Sequence, residues 1–566
     1  MMSEIDTGMH YPIKLDELPP SWVIAFVGDF CDGIQSGFAC GRHSDSNIGV
    51  PHLRPMNISR NGELDFEVIK YVASDFDGRR LSENDVLFNN TNSPELIGKT
   101  AYVTQKGHGL AFSNHMTRLK FHRDVNSKFG AYQLHYLWMA RYFLHGCVKH
   151  VNQASVSATE LARSVPFVVS PIKEQHRIVT KIEELFSELD KGIEYLKTAQ
   201  AQLKVYRQAL LKHAFEGKLT AQWRKQQRAK QSVAPAKAGA QPLNDMDSRL
   251  PPTFARMTGN DEVGGGNDKP LETAADLLKR IQQERVQRYQ QQLADWEASG
   301  KQGSKPKPPK SLPPLTAEEL AELPELPEGW GWVKSGELFE SVTSGSRGWA
   351  QYYADSGAIF IRITNLDFDS LKLDLSPKKI QYVQPPVGTE GLRTKVKEGD
   401  FLFSITGYLG MFAIAPSIGD AYVNQHISLA RPLDGCSKKY FGYYVTSHTG
   451  GIHYLNKQTK GAVKAGLGLD DIQNFPVPIC SLNEQIQISS ELESRLSEID
   501  QLDQTITTAL QQAEALRQSI LKKAFSGQLV PQDPNDEPAS ELLARIKADR
   551  LASQGNVIVR RKGERS

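Results

Sequence analysis

Residues 88–100 read FNNTNSPELIGKT, a run of amides and hydroxyls closed by a glycine and a lysine. A phosphate-cradling loop would need G-x-x-x-x-G-K-[ST], so that backbone N–H groups wrap a nucleotide. Its first glycine would fall at position 93, where Ser93 stands. The better reading is a polar loop leaving the buried strand DVLF at 85–88. Asn89, Asn90, Thr91, Asn92 and Ser93 can then hydrogen-bond base edges, because an asparagine amide pairs bidentately with adenine. Lys99 can hold a phosphate. The plain alternative is that these side chains cap turns.

Other clusters offer similar chemistry. SGSRGWAQYY at 344–353 carries Ser344, Ser346 and Arg347, with Trp349 either wedged against a backbone or packed beneath its loop. QSGFACGRH at 35–43 supplies Gln35, Ser36, Arg42 and His43. FSITGYLG at 403–410 adds Thr406 and Tyr408. Asn114–His115 and Gln425–His426 are pairs that can face DNA, and Arg54 with Asn57 is answered by Arg362 with Asn365. Histidines 108, 115, 122, 145 and 150 have no metal-ligand spacing, so no metal site is expected. No D/N-P-P-Y/F motif and no glycine-rich cofactor loop follows a strand-like run, so no catalysis is expected from this chain.

These clusters recur because the chain is an internal duplication. LLKHAFEGKLTAQ at 210–222 is answered by ILKKAFSGQLVPQ at 520–532. Residues 165–222 align without a gap on 475–532, with about twenty of 58 positions identical. Upstream, LPPSW (18–22) answers LPEGW (326–330), and the SG at 36–37 answers the SG at 344–345. A period this long excludes a solenoid and marks a repeated domain pair.

In each repeat a globular part precedes a helical tail. Ile182, Leu189, Leu196, Leu203 and Leu210 recur every seven residues, as do Leu492, Ile499, Ile506, Ala513 and Ile520. A second row runs through 178, 185, 192, 199 and 206, and through 488, 495, 502, 509 and 516. Two rows offset by four make a coiled-coil seam. Acidic residues crowd the start of the first run and basic residues its end, which suits antiparallel packing of the two rods. Short β-like runs such as DVLFNN, AIFIRIT and DFLFSIT, followed by helical patterns near 130–145 and 439–448, make the globular parts mixed α/β.

The expected division is a first globular domain at 1–170 and a long helix at 171–223. A linker at 224–325 follows, disordered and proline-rich, with a helix at about 273–298. A second globular domain occupies 326–480 and a second long helix 481–530. A tail with a short helix fills 531–566. The 566 residues carry a net charge of +2, which by itself argues for no particular partner. Five scattered cysteines, no visible signal peptide and no membrane-length apolar run give a cytoplasmic protein as the expectation.

DGIQSGFACG…VPHLRPMNIS with FNNTNSPELIGKTAYV, SGSRGWAQYYADSGAIFIRITNLD with GDFLFSITGYLGMFAIA, and the paired EQ…LLKxAFxGxL tails together resemble the DNA specificity subunit of Type I restriction–modification systems. The resemblance covers both halves. It implies two target-recognition domains of mixed α/β fold, separated by two long antiparallel coiled-coil helices with pseudo-two-fold symmetry. It further implies a non-catalytic chain that reads an asymmetric, split site on double-stranded DNA. Two adenine methyltransferase subunits, and through them motor–nuclease subunits, would dock on it. S-adenosylmethionine, ATP and magnesium would sit on those partners and none on this chain. The competing reading is a structural coiled-coil adaptor whose globular ends bind protein.

Overall fold

A computed structural model describes residues 11–563, apart from 41–42, 44–47, 73–78, 150–152, 233–271, 303–304, 310, 386–392 and 459–465. The chain forms two compact units, Met1–Ala199 with Thr505–Ser566, and Gln200–Gln504.

The first unit is built on a four-stranded antiparallel sheet of β1 (Cys31–Ser36), β2 (Val86–Asn89), β3 (Thr100–Tyr102) and β4 (Met116–Phe121), in the order β1-β4-β2-β3. A smaller sheet centres on Val50–Leu53, which pairs parallel to Ala111–Phe112. The second unit repeats the plan with β5 (Phe339–Ser344), β6 (Phe401–Ser404), β7 (Phe412–Ile414) and β8 (Ile427–Pro432), in the order β5-β8-β6-β7. Its smaller sheet repeats the parallel pairing, here between Ala358–Ile361 and Ala421–Val423. In both units the first strand of the domain pairs antiparallel with the strand just before the long helix, Val23–Phe26 with Pro166–Val169 and Gly331–Lys334 with Pro476–Ile479.

The tails form unbroken helices, Ile172–Phe215 and Leu482–Phe525. At about 1.5 Å per residue each is a rod of roughly 65 Å. Within each unit the two run antiparallel. Arg517 ion-pairs with Asp190 and stacks over Phe186 at 4.2 Å in the first unit. Arg207 meets Asp500 at 2.7 Å, and Gln200 donates to Asp503 at 3.0 Å, in the second. Ile182, Leu210, Leu492, Ile499 and Ile520 are buried, and Leu189, Leu196, Leu203 and Ile506 are half-buried. The second row departs from a continuous seam: Gly192, Tyr206, Arg495, Leu502 and Leu516 are exposed. Two helices cover one stripe of each other, so a row displaced to the flank reaches solvent.

Each domain is gripped by the end of a long helix. Phe215 packs edge-on against Tyr440 and Tyr444 of the helix Lys438–Thr446, both at 5.2 Å. Phe525 does the same against Phe129 at 5.2 Å and stacks on Tyr136 at 6.0 Å, both on the helix Ser127–Met139. Burying each ring contributes about 2 kcal/mol. The chain then turns at Gly217 (φ 69°) and Gly527 (φ 72°), where a Cβ would strike Pro327 or Pro19. Positive φ and a close proline explain why glycine stands at both turns. Trp330 donates its indole N–H to Glu484 at 3.0 Å, and Trp22 donates to Glu174 at 3.1 Å.

A bracing helix completes each grip, and here two expectations change. Beside the expected helix, here Ala274–Ala298, the 224–325 segment holds the helix Ala317–Ala321 and most of the helix Ala221–Ser232, while 233–271 lies outside the described residues. The C-terminal helix is not short: it runs Ala539–Gly563. Ala274, Leu277 and Ile281 enter the core of the second unit, and Ala539, Leu542 and Ile546 that of the first. Arg285 donates to the carbonyls of Gly336 (2.7 Å) and Phe339 (3.1 Å). Arg550 donates to those of Gly28 (3.0 Å) and Cys31. Among the described residues no helix is long and apolar enough to cross a membrane.

Candidate nucleic-acid interface

Three chain segments meet at one end of each central sheet. In the first unit these are the exit of β1 at Ser36–Gly37, the exit of β2 at Asn89–Ser93, and the turn at 113–116 that leads into β4. Gly37 lies so close to the turn that a Cβ would fall 2.1 Å from the Phe112 carbonyl oxygen. At the matched Gly345 it would fall 2.2 Å from the Val423 oxygen. The repeated SG therefore records a close backbone approach that admits no side chain.

The structure sorts the first polar loop into two classes. Asn89, Asn90 and Lys99 are buried, contrary to their expected DNA-facing role. Asn89 donates to the Pro55 carbonyl at 3.3 Å. Asn90 donates to Thr117 Oγ1 at 2.8 Å and to the Asn114 carbonyl at 3.0 Å, and accepts from Thr91 Oγ1 at 2.9 Å. Lys99 Nζ donates to the Ile58 carbonyl, and burial pushes its pKa down. Backbone and side-chain groups inside the domain take up these donors, because a buried polar group without a partner is costly. Thr91, Asn92 and Ser93 lie at the surface half-buried, with Thr91–Asn92 paired to Ala154–Ser155 and Asn92 Oδ1 accepting from the Ser93 N–H at 2.8 Å. Ser36 Oγ lies 3.3 Å from Thr117 Oγ1, and Gln35 Oε1 accepts from Arg118 at 2.8 Å. Arg42 lies outside the described residues. Thr117 was not foreseen; its place in the strand MTRLKF gives no sign of the network it joins.

The second unit builds the same face differently. The loop after β6 turns at Gly407 (φ 72°) and Gly410 (φ 81°) and leaves Tyr408 71% exposed. Ser404 Oγ donates to the Tyr408 carbonyl and accepts from the Met411 N–H at 2.9 Å, which fixes the loop. Thr406 Oγ1 lies 2.6 Å from His426 Nδ1, and Gln425 Nε2 lies 3.0 Å from His426 Nε2. Arg347 is exposed, and Ser344 and Ser346 are half-buried. Trp349 is buried and stacks on Phe360 at 5.2 Å and 15°, so it packs beneath its loop.

The matched Arg–Asn pairs are framework. Asn57 accepts the Arg54 N–H at 2.9 Å and donates to the Asp65 and Val68 carbonyls. Asn365 accepts the Arg362 N–H at 2.8 Å and donates to the Asp374 and Lys379 carbonyls. Among the described residues no group of three or more His, Cys, Asp or Glu could hold a metal ion.

Comparison with known proteins fits this geometry. Residues 327–512 match the family model of the Type I restriction modification DNA specificity domain. The chain is 27% identical over 253 residues to the Type I restriction enzyme EcoBI specificity subunit of Escherichia coli, covering 42% of this chain and 51% of that one. It is 28% identical over 188 residues to the EcoKI specificity subunit of Escherichia coli strain K12, covering 32% and 40%. The chain spans about half the length of the curated relatives it matches. A solved structure from work on complex assembly and conformational transition of the type I R-M system aligns with a TM-score of 0.57 at 17% identity. That alignment covers 90% of this chain and 99% of the other, a likeness of fold.

Proposed function

We propose that this relative of the Type I restriction specificity subunits is a non-catalytic reader of double-stranded DNA, each of its two globular domains recognising one part of a split site. The observation that carries the reading is the duplicated face. The same three segments converge at the same end of both central sheets, on the same SG close approach, yet they display different side chains. Shared framework with different display is what reading two unlike half-sites requires, since base edges are distinguished by the donors and acceptors set against them. The paired rods would hold the half-sites at a fixed spacing. The duplicated tails would give two copies of an adenine methyltransferase subunit equivalent places to dock, with motor–nuclease subunits joining through them. S-adenosylmethionine, ATP and magnesium would belong to those partners.

The test is base-modification-aware sequencing of a host genome with and without this chain. Methylation at a bipartite, asymmetric motif that disappears with the chain is the expected result. Unchanged methylation, with the chain still bound to protein partners, would favour a protein-binding adaptor.

A further inference from the structure

The turn Asn424–Ile427 in the second unit carries two side chains, Gln425 and His426, joined in one hydrogen-bonded chain with Thr406. Asn424 anchors it: its N–H donates to the Ile361 carbonyl at 3.1 Å, and its Oδ1 accepts the His426 N–H at 3.1 Å. Gly345 presses on the same turn from β5. Gln425 Nε2 lies 3.0 Å from His426 Nε2. With the amide nitrogen set toward Nε2, His426 Nε2 accepts and the imidazole proton is on Nδ1. Nδ1 lies 2.6 Å from Thr406 Oγ1, a hydroxyl able to accept that proton. One amide N–H is committed to His426. The amide keeps its second N–H and Oε1 as a donor and an acceptor for a ligand.

We propose that Gln425 is a base-reading residue that selects adenine at one position of the half-site read by the second domain. This rests on the DNA-reading function proposed above and names part of its substrate. In the major groove adenine presents an acceptor, N7, beside a donor, the N6 amine. Guanine presents two acceptors, cytosine one donor, and thymine one acceptor with a methyl group. Only adenine complements both members of the Gln425 fork. The matched turn of the first unit bears His115 where the second bears Gln425, which gives the two half-sites different chemistry at this position.

The experiment selects duplexes from a randomised DNA library with the full-length chain, then with Gln425→Ala and Gln425→Glu, after checking that each variant melts like the parent. We expect the parent to enrich a two-part motif. In Q425A one A·T pair of one half should lose its preference, by on the order of tenfold or more, while the rest of the motif stays. Q425E, isosteric but acceptor-only, should move that position toward C·G, because a carboxylate accepts from the cytosine amine. A parent that enriches a motif which Q425A leaves intact at every position overturns the assignment. A parent that enriches no sequence overturns the DNA-reading function itself, a different failure.

Discussion

Lys99 and Asn90 show how residue type and residue orientation part company. Both stand in a loop rich in base-pairing side chains, and both turn inward to satisfy carbonyls and a hydroxyl. If Lys99 held a phosphate, Lys99→Met would weaken DNA binding and reduce its salt dependence by about one contact. Buried, it should change neither, which titration of binding against salt would check. The same variant should flatten the pH dependence of unfolding. A lysine whose folded pKa is lowered gives up its proton more readily when folded, so it adds stability as pH rises through that lowered pKa. The two buried glutamates make a second pair of expectations. Glu484 accepts from Thr220 at 2.7 Å and from Arg224 at 2.5 Å, so Glu484→Gln should cost about 3 kcal/mol in chemical denaturation by stranding the guanidinium. Glu174 accepts hydrogen bonds from two neutral donors, Trp22 and Gln532, and burial raises its pKa against the smaller pull of the Arg177 charge. Glu174→Gln should therefore cost well under half as much, since a neutral amide suits that site.

The long helices were legible as elements because a seven-residue repeat survives divergence, and the turns after them because their glycines are fixed by φ and by a neighbouring proline. The strands of the two domains were legible only as short runs. Their order was not, since three- to six-residue strands leave little sequence signal of which neighbour they choose. The bracing role of the helices Ala274–Ala298 and Ala539–Gly563 was hidden too, although TAADLLKRIQQER visibly echoes PASELLARIKADR. Their arginines bond carbonyl oxygens, which every residue possesses, so the partner leaves no mark in the sequence. Removing one brace isolates its worth. Arg285→Ala should destabilise the second unit by about 2 kcal/mol, as lost charge-assisted bonds to carbonyls predict, with native-state hydrogen exchange in 335–339 rising first.

At the scale of the whole molecule, residues 233–271 interrupt a connection that the second repeat makes with only 531–538. The structured flanks on both sides, Ala221–Ser232 and Ala274–Ala298, belong to the same unit. Lengthening both rods by seven residues at matched levels should widen the proposed half-site spacing by about 10 Å, or roughly three base pairs. Methylation-site mapping would read that change directly.

The fittings that join each domain to its brace are main-chain oxygens, those of Gly336 and Phe339 in one half and of Gly28 and Cys31 in the other. An oxygen of the peptide bond survives almost any substitution at its own position. Most side chains of such a domain can therefore be exchanged while its mounting stays intact, as the proposed reading of two unlike half-sites requires.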